Sequence, residues 1–172
     1  TTNERGAIVV NDTCESSVPS VYAVGDVNGG PQFTYISLDD FRIVFGVLTG
    51  NSQYTLKDRK NIPYTTFLTP PLARVGLIEE DAINKGYTVK TKEMLVATMP
   101  RAHVNDNLKG AFKIVVNAEN DLILGATLYS QGAEELINLI KIAMDNNIPY
   151  TYFKNQIFTH PTMAENLNDL CN

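Results

Sequence analysis

The order of apolar and polar positions changes near residue 60. Before it, two short apolar runs at residues 7–10 and 21–24 each stop at turn residues. The second run is apolar at almost every position, which predicts a strand buried on both faces, as in the parallel sheets of α/β domains. Residues 32–48 repeat apolar side chains at intervals of three and four, which predicts a helix.

Residues 51–63 are polar and charged and end at Pro63, so we interpret them as a connector. The basic cluster of Lys57, Arg59 and Lys60 encloses Asp58 and is interpreted as a solvated linker. These features place a boundary near residue 60 and predict two parts, residues 1–60 and 61–172.

After the boundary, the pattern predicts a set of strands interrupted by helices. Two β-rich runs at 111–116 and 122–129, separated by a turn-forming segment, predict an antiparallel hairpin. Residues 132–147 predict a helix that is apolar on more than one face, so we expect its second face to contact another chain. The other predictions are strands at 64–68, 72–77 and 87–97, short helices at 79–86 and 162–170, and an irregular segment at 99–108.

Composition removes several classes of function. The net charge is −5 and no clustered basic face is evident, which argues against a nucleic-acid partner. No apolar run reaches the ~18–20 residues of a membrane span, so no membrane partner is expected. Cys14 and Cys171 stand alone at opposite ends, which predicts free thiols, no metal site and a reducing, cytoplasmic environment.

The apolar run at 21–24 leads into Gly25-Asp26, a glycine-containing loop and the helix predicted from Gln32. Ligands of open α/β sheets bind beyond the carboxyl ends of strands, where the Asp26 carboxylate could accept hydrogen bonds from sugar or ribityl hydroxyls. The helix start favours ligand atoms that accept hydrogen bonds. A simple turn at Asp26 explains the same residues, and the chain lacks the more specific G-x-G-x-x-G pattern.

The segment THPTMAE at residues 159–165 supports two interpretations. Thr162 and Glu165 have the spacing of a capping box at a helix start, which would leave His160 as a loop residue. Alternatively, Glu165 holds one ring nitrogen of His160 and makes it a general base. A cis bond at His160-Pro161 would aim the ring away from the helix, and the nucleophile for such a base is missing because there is no cysteine pair.

Three motifs in order resemble the C-terminal part of the class I pyridine nucleotide-disulfide oxidoreductases, the family of glutathione reductase and dihydrolipoamide dehydrogenase. VYAVGD at 21–26 resembles the second FAD motif, FLTPPLARVGL at 67–77 the entry to the dimerisation domain, and THPTMAE at 159–165 the catalytic His-Glu segment. QFTYISLDDFRIV at 32–44 and MAENLNDL at 163–170 are similar to the reactive-chlorine-resistance branch, which is linked to hypothiocyanous acid reduction. Mercuric reductases are the nearest alternative, but they carry a vicinal cysteine pair at the C-terminus and lack the histidine.

The resemblance implies an α+β fold with an antiparallel sheet flanked by helices, the dimerisation domain, at residues 61–172. Before it, residues 1–60 would be the last strand and helix of an FAD-binding α/β domain. The whole protein would be a homodimer that uses FAD and NAD(P)H to reduce a small disulfide or oxidant. The helix at 132–147 would pack in the dimer interface.

Residue roles also follow from the resemblance. His160 would be the acid/base that protonates the leaving thiol of the partner subunit's interchange cysteine, and Glu165 would orient it. The cofactor-binding positions would be Gly25, Asp26, Gln32, Phe33, Thr34, His160 and Pro161, with Asp26 on the ribityl chain and the Thr34 amide near the flavin. The resemblance implies a cis peptide bond at His160-Pro161. It suggests a second cis bond at Thr69-Pro70.

The family's N-terminal glycine motif, redox disulfide and NAD(P)H domain have no counterpart in these residues. We therefore expect the chain to be a piece of a longer enzyme, inert alone and binding FAD weakly or not at all. A stand-alone dimerisation module without catalysis is the other hypothesis.

Overall fold

A computed structural model describes residues 1–172, which form two compact units, Thr1–Arg59 and Lys60–Asn172. None of its helices combines the length and apolar character needed to cross a bilayer. Cys14 and Cys171 are free thiols, as the sequence predicts, and both are buried.

The first unit is mostly irregular and is held by isolated bridges between Thr2 and Ile8, Val10 and Ser16, and Glu15 and Tyr22. The predicted doubly buried strand at 21–24 is wrong. Val21 and Val24 are 50% and 42% exposed, because the segment has one bridge partner in this chain and no layer packed on its outer side. A 3-10 turn, Gly25–Asn28, follows it.

Helix α1, Thr34–Leu48, confirms the predicted helix and begins two residues later than expected. Its buried positions are Ile36, Asp40 and Ile43, which lie on one face at intervals of four and three. Phe41 and Phe45, members of the apolar repeat, are instead more than half exposed. A charged residue therefore occupies the centre of the buried face.

The polar connector contains one 3-10 turn, Leu56–Asp58. The interpretation of its basic cluster as solvated is wrong for Arg59, whose side chain is only 11% exposed. Arg59 pairs with Asp39 and Asp40 of α1, and this long-range pairing removes it from solvent.

The second unit is built on a five-stranded antiparallel sheet. The strands are β1 Tyr64–Thr66, β2 Leu72–Gly76, β3 Val89–Leu95, β4 Ala111–Asn117 and β5 Ile123–Tyr129. Their order in the sheet is β1-β2-β5-β4-β3. The predicted hairpin is confirmed as β4 and β5, with a register shift between Val115 and Val116.

Alternation along the strands sends one set of side chains into the core. Phe112, Ile114 and Val116 of β4 are fully buried on that face, opposite Ala126 and Leu128 of β5. Helix α4, Ala133–Asp145, covers them with Leu136, Ile137 and Ile140, while Leu139 and Ile142 remain exposed on its other side. The five-stranded sheet with flanking helices is the α+β arrangement expected.

Short helices complete the unit: α2 Glu79–Asn84, α3 Pro100–Val104, α5 Thr151–Lys154 and α6 Leu167–Leu170. The prediction of an irregular segment at 99–108 is wrong, because α3 lies within it with Pro100 at its first turn, where the missing amide costs nothing. His103 lies on α3, and its ring donates from Nε2 to the Ala97 carbonyl at 2.9 Å. The predicted last helix is a 3-10 turn, Ala164–Asn166, continued by α6.

Candidate functional site: an exposed histidine held by a glutamate

His160 lies in the loop before the final helical turns, and the bond to Pro161 is cis, as expected; Thr69-Pro70 is cis too. The His160 side chain is 69% exposed, whereas that of Glu165 is 19% exposed. His160 Nδ1 donates to Glu165 Oε2 at 2.7 Å. A half-buried carboxylate thus holds an exposed imidazole by its inner nitrogen, which leaves Nε2 as the outer one.

Glu165 also forms the capping box. Its Oε1 accepts from the Thr162 amide at 3.0 Å, while Thr162 Oγ1 accepts from the Glu165 amide at 3.2 Å. The capping box and the hydrogen bond to His160 therefore coexist, one on each carboxylate oxygen. Because the cap fixes the carboxylate, the direction of the histidine ring is set by backbone structure and not by a mobile side chain.

The charge state of Glu165 suits this arrangement. Burial alone would raise the pKa of Glu165, but hydrogen bonds from His160 and the Thr162 amide, together with the charge of His160, bring the pKa below its ordinary value. The carboxylate therefore stays ionised at neutral pH and acts only as a hydrogen-bond acceptor. An ionised acceptor requires the donor hydrogen on Nδ1 of a neutral imidazole.

Two asparagines stabilise the backbone around residues 159–165 through side-chain hydrogen bonds. Asn166 is 1% exposed and its Nδ2 donates to the carbonyls of Thr162 and Met163, at 3.1 and 3.2 Å. Asn168 Nδ2 donates to the carbonyls of Phe153 and Gln156, at 2.6 and 3.0 Å, which ties the turn to the end of α5. Sequence reasoning missed both residues, because an asparagine after a capping box carries no signal of its own.

The candidates of the first unit lie around an open groove of about 740 Å³. Asp26, Gln32 and Phe33 line it, together with Arg5 and a glycine-rich backbone at Gly29 and Gly30. Asp26 and Gln32 are exposed there and Phe33 is half-buried. The groove is thus lined by a carboxylate, an amide and an aromatic residue, groups that suit a polar ligand with hydroxyl and aromatic parts.

Two further candidates border the groove without lining it. Thr34 is exposed and opens α1, whose N-cap Phe33 provides no side-chain hydrogen bond. Gly25 is buried, and its amide is already engaged by the Asp40 carboxylate at 2.7 Å. Its positive φ of +73° and the Ser37 hydroxyl, 2.6 Å from where a Cβ would lie, leave room for glycine alone.

The structure therefore gathers the predicted residues into two groups, one in each unit. His160, Pro161 and Glu165 form the first, and Asp26, Gln32 and Phe33 form the second. Asp40 and Arg59 support the second group and were missed. An aspartate at a core-facing position of an otherwise apolar helix face was the signal that could have revealed Asp40.

Neither cysteine can serve as a nucleophile in this structure. Burial raises the pKa of Cys14 to about 11, with a contribution from the Asp40 charge, and burial raises the pKa of Cys171 to about 12. A reactive thiol needs the opposite shift and an accessible surface. Buried as they are, Cys14 and Cys171 do not have the environment of a reactive thiol.

Comparison with known proteins places both units. A family model for the pyridine nucleotide-disulphide oxidoreductase dimerisation domain matches residues 62–171, and one for pyridine nucleotide-disulphide oxidoreductases matches residues 1–40. The probable pyridine nucleotide-disulfide oxidoreductase RclA of Escherichia coli is 47% identical over 168 residues, which cover 98% of this chain and 38% of the relative. A mercuric reductase of Staphylococcus aureus is 34% identical over 166 residues, which cover 96% of this chain and 30% of the relative.

The solved structure of the HOCl-induced flavoprotein disulfide reductase RclA from Escherichia coli superposes with a TM-score of 0.96 at 46% identity. The match covers 99% of this chain and 39% of that one, so the chain spans under two fifths of the length of these relatives. The family resemblance of the three motifs is confirmed, and so is the reactive-chlorine branch inferred from residues 32–44 and 163–170. The chain belongs to the pyridine nucleotide-disulphide oxidoreductase family and carries its dimerisation domain at residues 62–171.

Proposed function

We propose that this chain acts as the C-terminal part of an FAD-dependent NAD(P)H:disulfide oxidoreductase, in which His160 transfers protons and Glu165 orients it. The observation that carries the proposal is the pair of hydrogen bonds on Glu165. One oxygen holds His160 Nδ1 at 2.7 Å and the other is locked to the Thr162 amide at 3.0 Å. A loop histidine without a chemical role would not require an ionised, backbone-fixed acceptor.

The proton chemistry follows from the tautomer. With hydrogen on Nδ1, Nε2 of the neutral ring accepts a proton from a thiol, and the ring becomes an imidazolium beside an ionised carboxylate. When a thiolate then leaves during disulfide exchange, Nε2 returns that proton to its sulfur, which restores the neutral ring. Because Glu165 remains charged throughout, it stabilises the imidazolium and keeps the ring aligned.

The groove of the first unit would contribute to the flavin site. Asp26 would accept hydrogen bonds from ribityl hydroxyls, and the start of α1 at Thr34 would face hydrogen-bond acceptors of the cofactor, with Gln32 and Phe33 beside it. Gly25 would keep the turn Gly25–Asn28 compact. His160 and Pro161 of one subunit would lie near the flavin of the other subunit. The flavin, when bound, passes electrons between NAD(P)H and the disulfide.

The whole enzyme would be a homodimer, since the proposed nucleophile belongs to the partner subunit. Leu139 and Ile142 on the outer side of α4, 39% and 54% exposed, supply an apolar surface for that contact. Residues 61–172 would be the dimerisation domain and residues 1–60 part of the cofactor domain. The substrate would be a small disulfide or thiol oxidant, and the isolated chain would be inactive and bind FAD weakly.

Mercuric reduction is the less favoured activity. Mercuric reductases lack the histidine of the segment at 159–165, whereas this chain carries His160 there. His160 and its hydrogen-bonded Glu165 instead provide the proton transfer that disulfide exchange requires.

The proposal is tested by His160→Ala in the complete flavoenzyme that contains this chain. We expect disulfide or oxidant turnover to fall ~10²–10⁴-fold, the range for acid/base groups. His103→Ala is the matched control, because His103 is also an exposed histidine and makes one bond, to a backbone carbonyl. If the His160→Ala enzyme kept its turnover within about twofold of the wild type, the catalytic assignment would be wrong.

A further inference from the structure

Asp40 is a fully buried carboxylate, 0% exposed, at the centre of the inward face of α1. Burying an ionised group in this way is costly unless hydrogen bonds and an opposite charge compensate. Apolar packing therefore does not explain the burial of Asp40, and its polar contacts have to account for it.

The hydrogen bonds of Asp40 reach both ends of the turn Gly25–Asn28. Its Oδ2 accepts from the Gly25 amide at 2.7 Å and from Asn28 Nδ2 at 2.8 Å. Asn28 extends the clamp, since Nδ2 also donates to the Ala23 carbonyl at 3.2 Å and Oδ1 accepts from the Gly30 amide at 3.0 Å. Asp26 lies between the two clamped ends and faces the groove.

Arg59 supplies the opposite charge from outside the helix. Its guanidinium binds Asp40 Oδ1 with Nη2 and Asp39 Oδ2 with Nε, the latter at 2.6 Å. Asp39 makes no bond to the turn; its other partners are Tyr54 and Arg42. Two adjacent aspartates thus share one arginine, but only Asp40 touches the backbone that carries Asp26.

We propose that Asp40, with Arg59 as its counter-ion, is a positioning residue that clamps the Gly25–Asn28 turn and thereby sets the affinity of the adjacent groove for the flavin cofactor. This inference rests on the proposed function, because it assumes that the groove contributes to the flavin site. Asp40 does not line the groove, so it acts through Gly25, Asn28 and the direction they give to Asp26.

The test compares Asp40→Asn with Asp39→Asn in the complete flavoenzyme. The two substitutions remove the same charge from neighbouring residues that share Arg59. The thermal midpoint of each variant is recorded beside its affinity, so that a loss of stability is distinguished from a loss of binding. Affinity is measured by titrating FAD into the stripped protein and following flavin fluorescence and visible circular dichroism. We expect Asp40→Asn to weaken FAD binding ~10–100-fold, the range for groups that hold a ligand-contacting residue, and Asp39→Asn to change it less than about threefold.

A purely structural role would make FAD affinity fall in both variants in step with the thermal midpoint, and that result would overturn the inference. If Asp40→Asn does not fold, Asn28→Ala cuts the clamp at one end and leaves the Asp40–Arg59 pair intact. We then expect a roughly tenfold weaker affinity, and an affinity equal to that of the wild type would overturn the inference. If the wild-type protein binds no flavin, the proposed function itself is contradicted. If the wild type and Asp40→Asn bind flavin equally, only the role of Asp40 is contradicted.

Discussion

Single residues of this chain perform two tasks at once, and Glu165 is the clearest case. One of its oxygens completes a capping box with Thr162 and the other accepts a hydrogen bond from His160 Nδ1. One backbone amide, that of Thr162, holds the carboxylate, and we expect substitution of Glu165 to disturb the histidine more than the helix. Stability and proton transfer can therefore be separated experimentally at this residue.

Replacing Glu165 by glutamine keeps the size and the capping oxygen but removes the charge. Its pKa is lowered below the ordinary 4.5 in the folded chain, so the carboxylate contributes stability above pH 4.5 that is lost as pH falls through the folded pKa. We expect Glu165→Gln to lower the free energy of unfolding by about 1 kcal/mol at neutral pH. Urea unfolding of both forms should show this difference shrinking below pH 4.5; a difference independent of pH would contradict the assignment.

At the scale of elements, the turn Gly25–Asn28 and helix α1 form one packed feature. Gly25 has φ +73° and lies against Ser37 of α1, so the turn depends on a missing side chain as much as on the bonds to Asp40. A methyl group at this position should separate the turn from the helix.

Gly25→Ala is therefore expected to destabilise the chain by about 1–3 kcal/mol, through backbone strain and the contact with Ser37. Gly50→Ala is the matched control: its φ is +75°, and nothing lies within 4 Å of the added Cβ. Gly50→Ala should show the backbone cost alone, about 1 kcal/mol. Thermal unfolding of the two variants measures the difference; equal losses would show that α1 does not pack on the turn as described.

Patterns among residues close in sequence predicted much of the fold. The β4–β5 hairpin and α4 depend on residues close in sequence, so spacing and turn chemistry were sufficient to predict them. The His160–Glu165 contact was one of two interpretations that the spacing allowed, and the family resemblance favoured it. The Asp40–Arg59 pair joins residues 19 positions apart, and no local pattern indicates that a charge in a basic linker turns inward. The prediction that residues 21–24 are buried on both faces was wrong for a related reason. Apolar side chains are buried only where another layer of the structure packs against them.

At the scale of the whole molecule, α4 divides its apolar residues between two surfaces. Ile140 is fully buried against the sheet, whereas Ile142 is 54% exposed. The buried side accounts for folding, and the exposed side is the surface that the proposed dimer would cover. Substitutions on the two sides should therefore affect different properties.

Ile142→Glu should weaken association of the complete protein at least ~10-fold, because it buries an unpaired charge in the proposed interface. The thermal midpoint of its second unit should hardly change, since the position is on the surface. Ile83→Glu is the control: Ile83 is 56% exposed and lies on α2. Sedimentation velocity over a concentration series measures the effect; a dimer that tolerates Ile142→Glu as well as Ile83→Glu would rule out the α4 interface.

The most direct test of the central claim is a measurement of the histidine tautomers by long-range nitrogen-15 NMR at a pH where both rings are neutral. The account predicts opposite tautomers within one chain. His160 should carry its hydrogen on Nδ1, bonded to Glu165, and His103 should carry it on Nε2, bonded to the Ala97 carbonyl. Glu165→Gln should release His160 from this state and leave His103 unchanged. An Nε2–H tautomer at His160, or one that does not respond to Glu165→Gln, would contradict the claim that Glu165 prepares His160 for proton transfer.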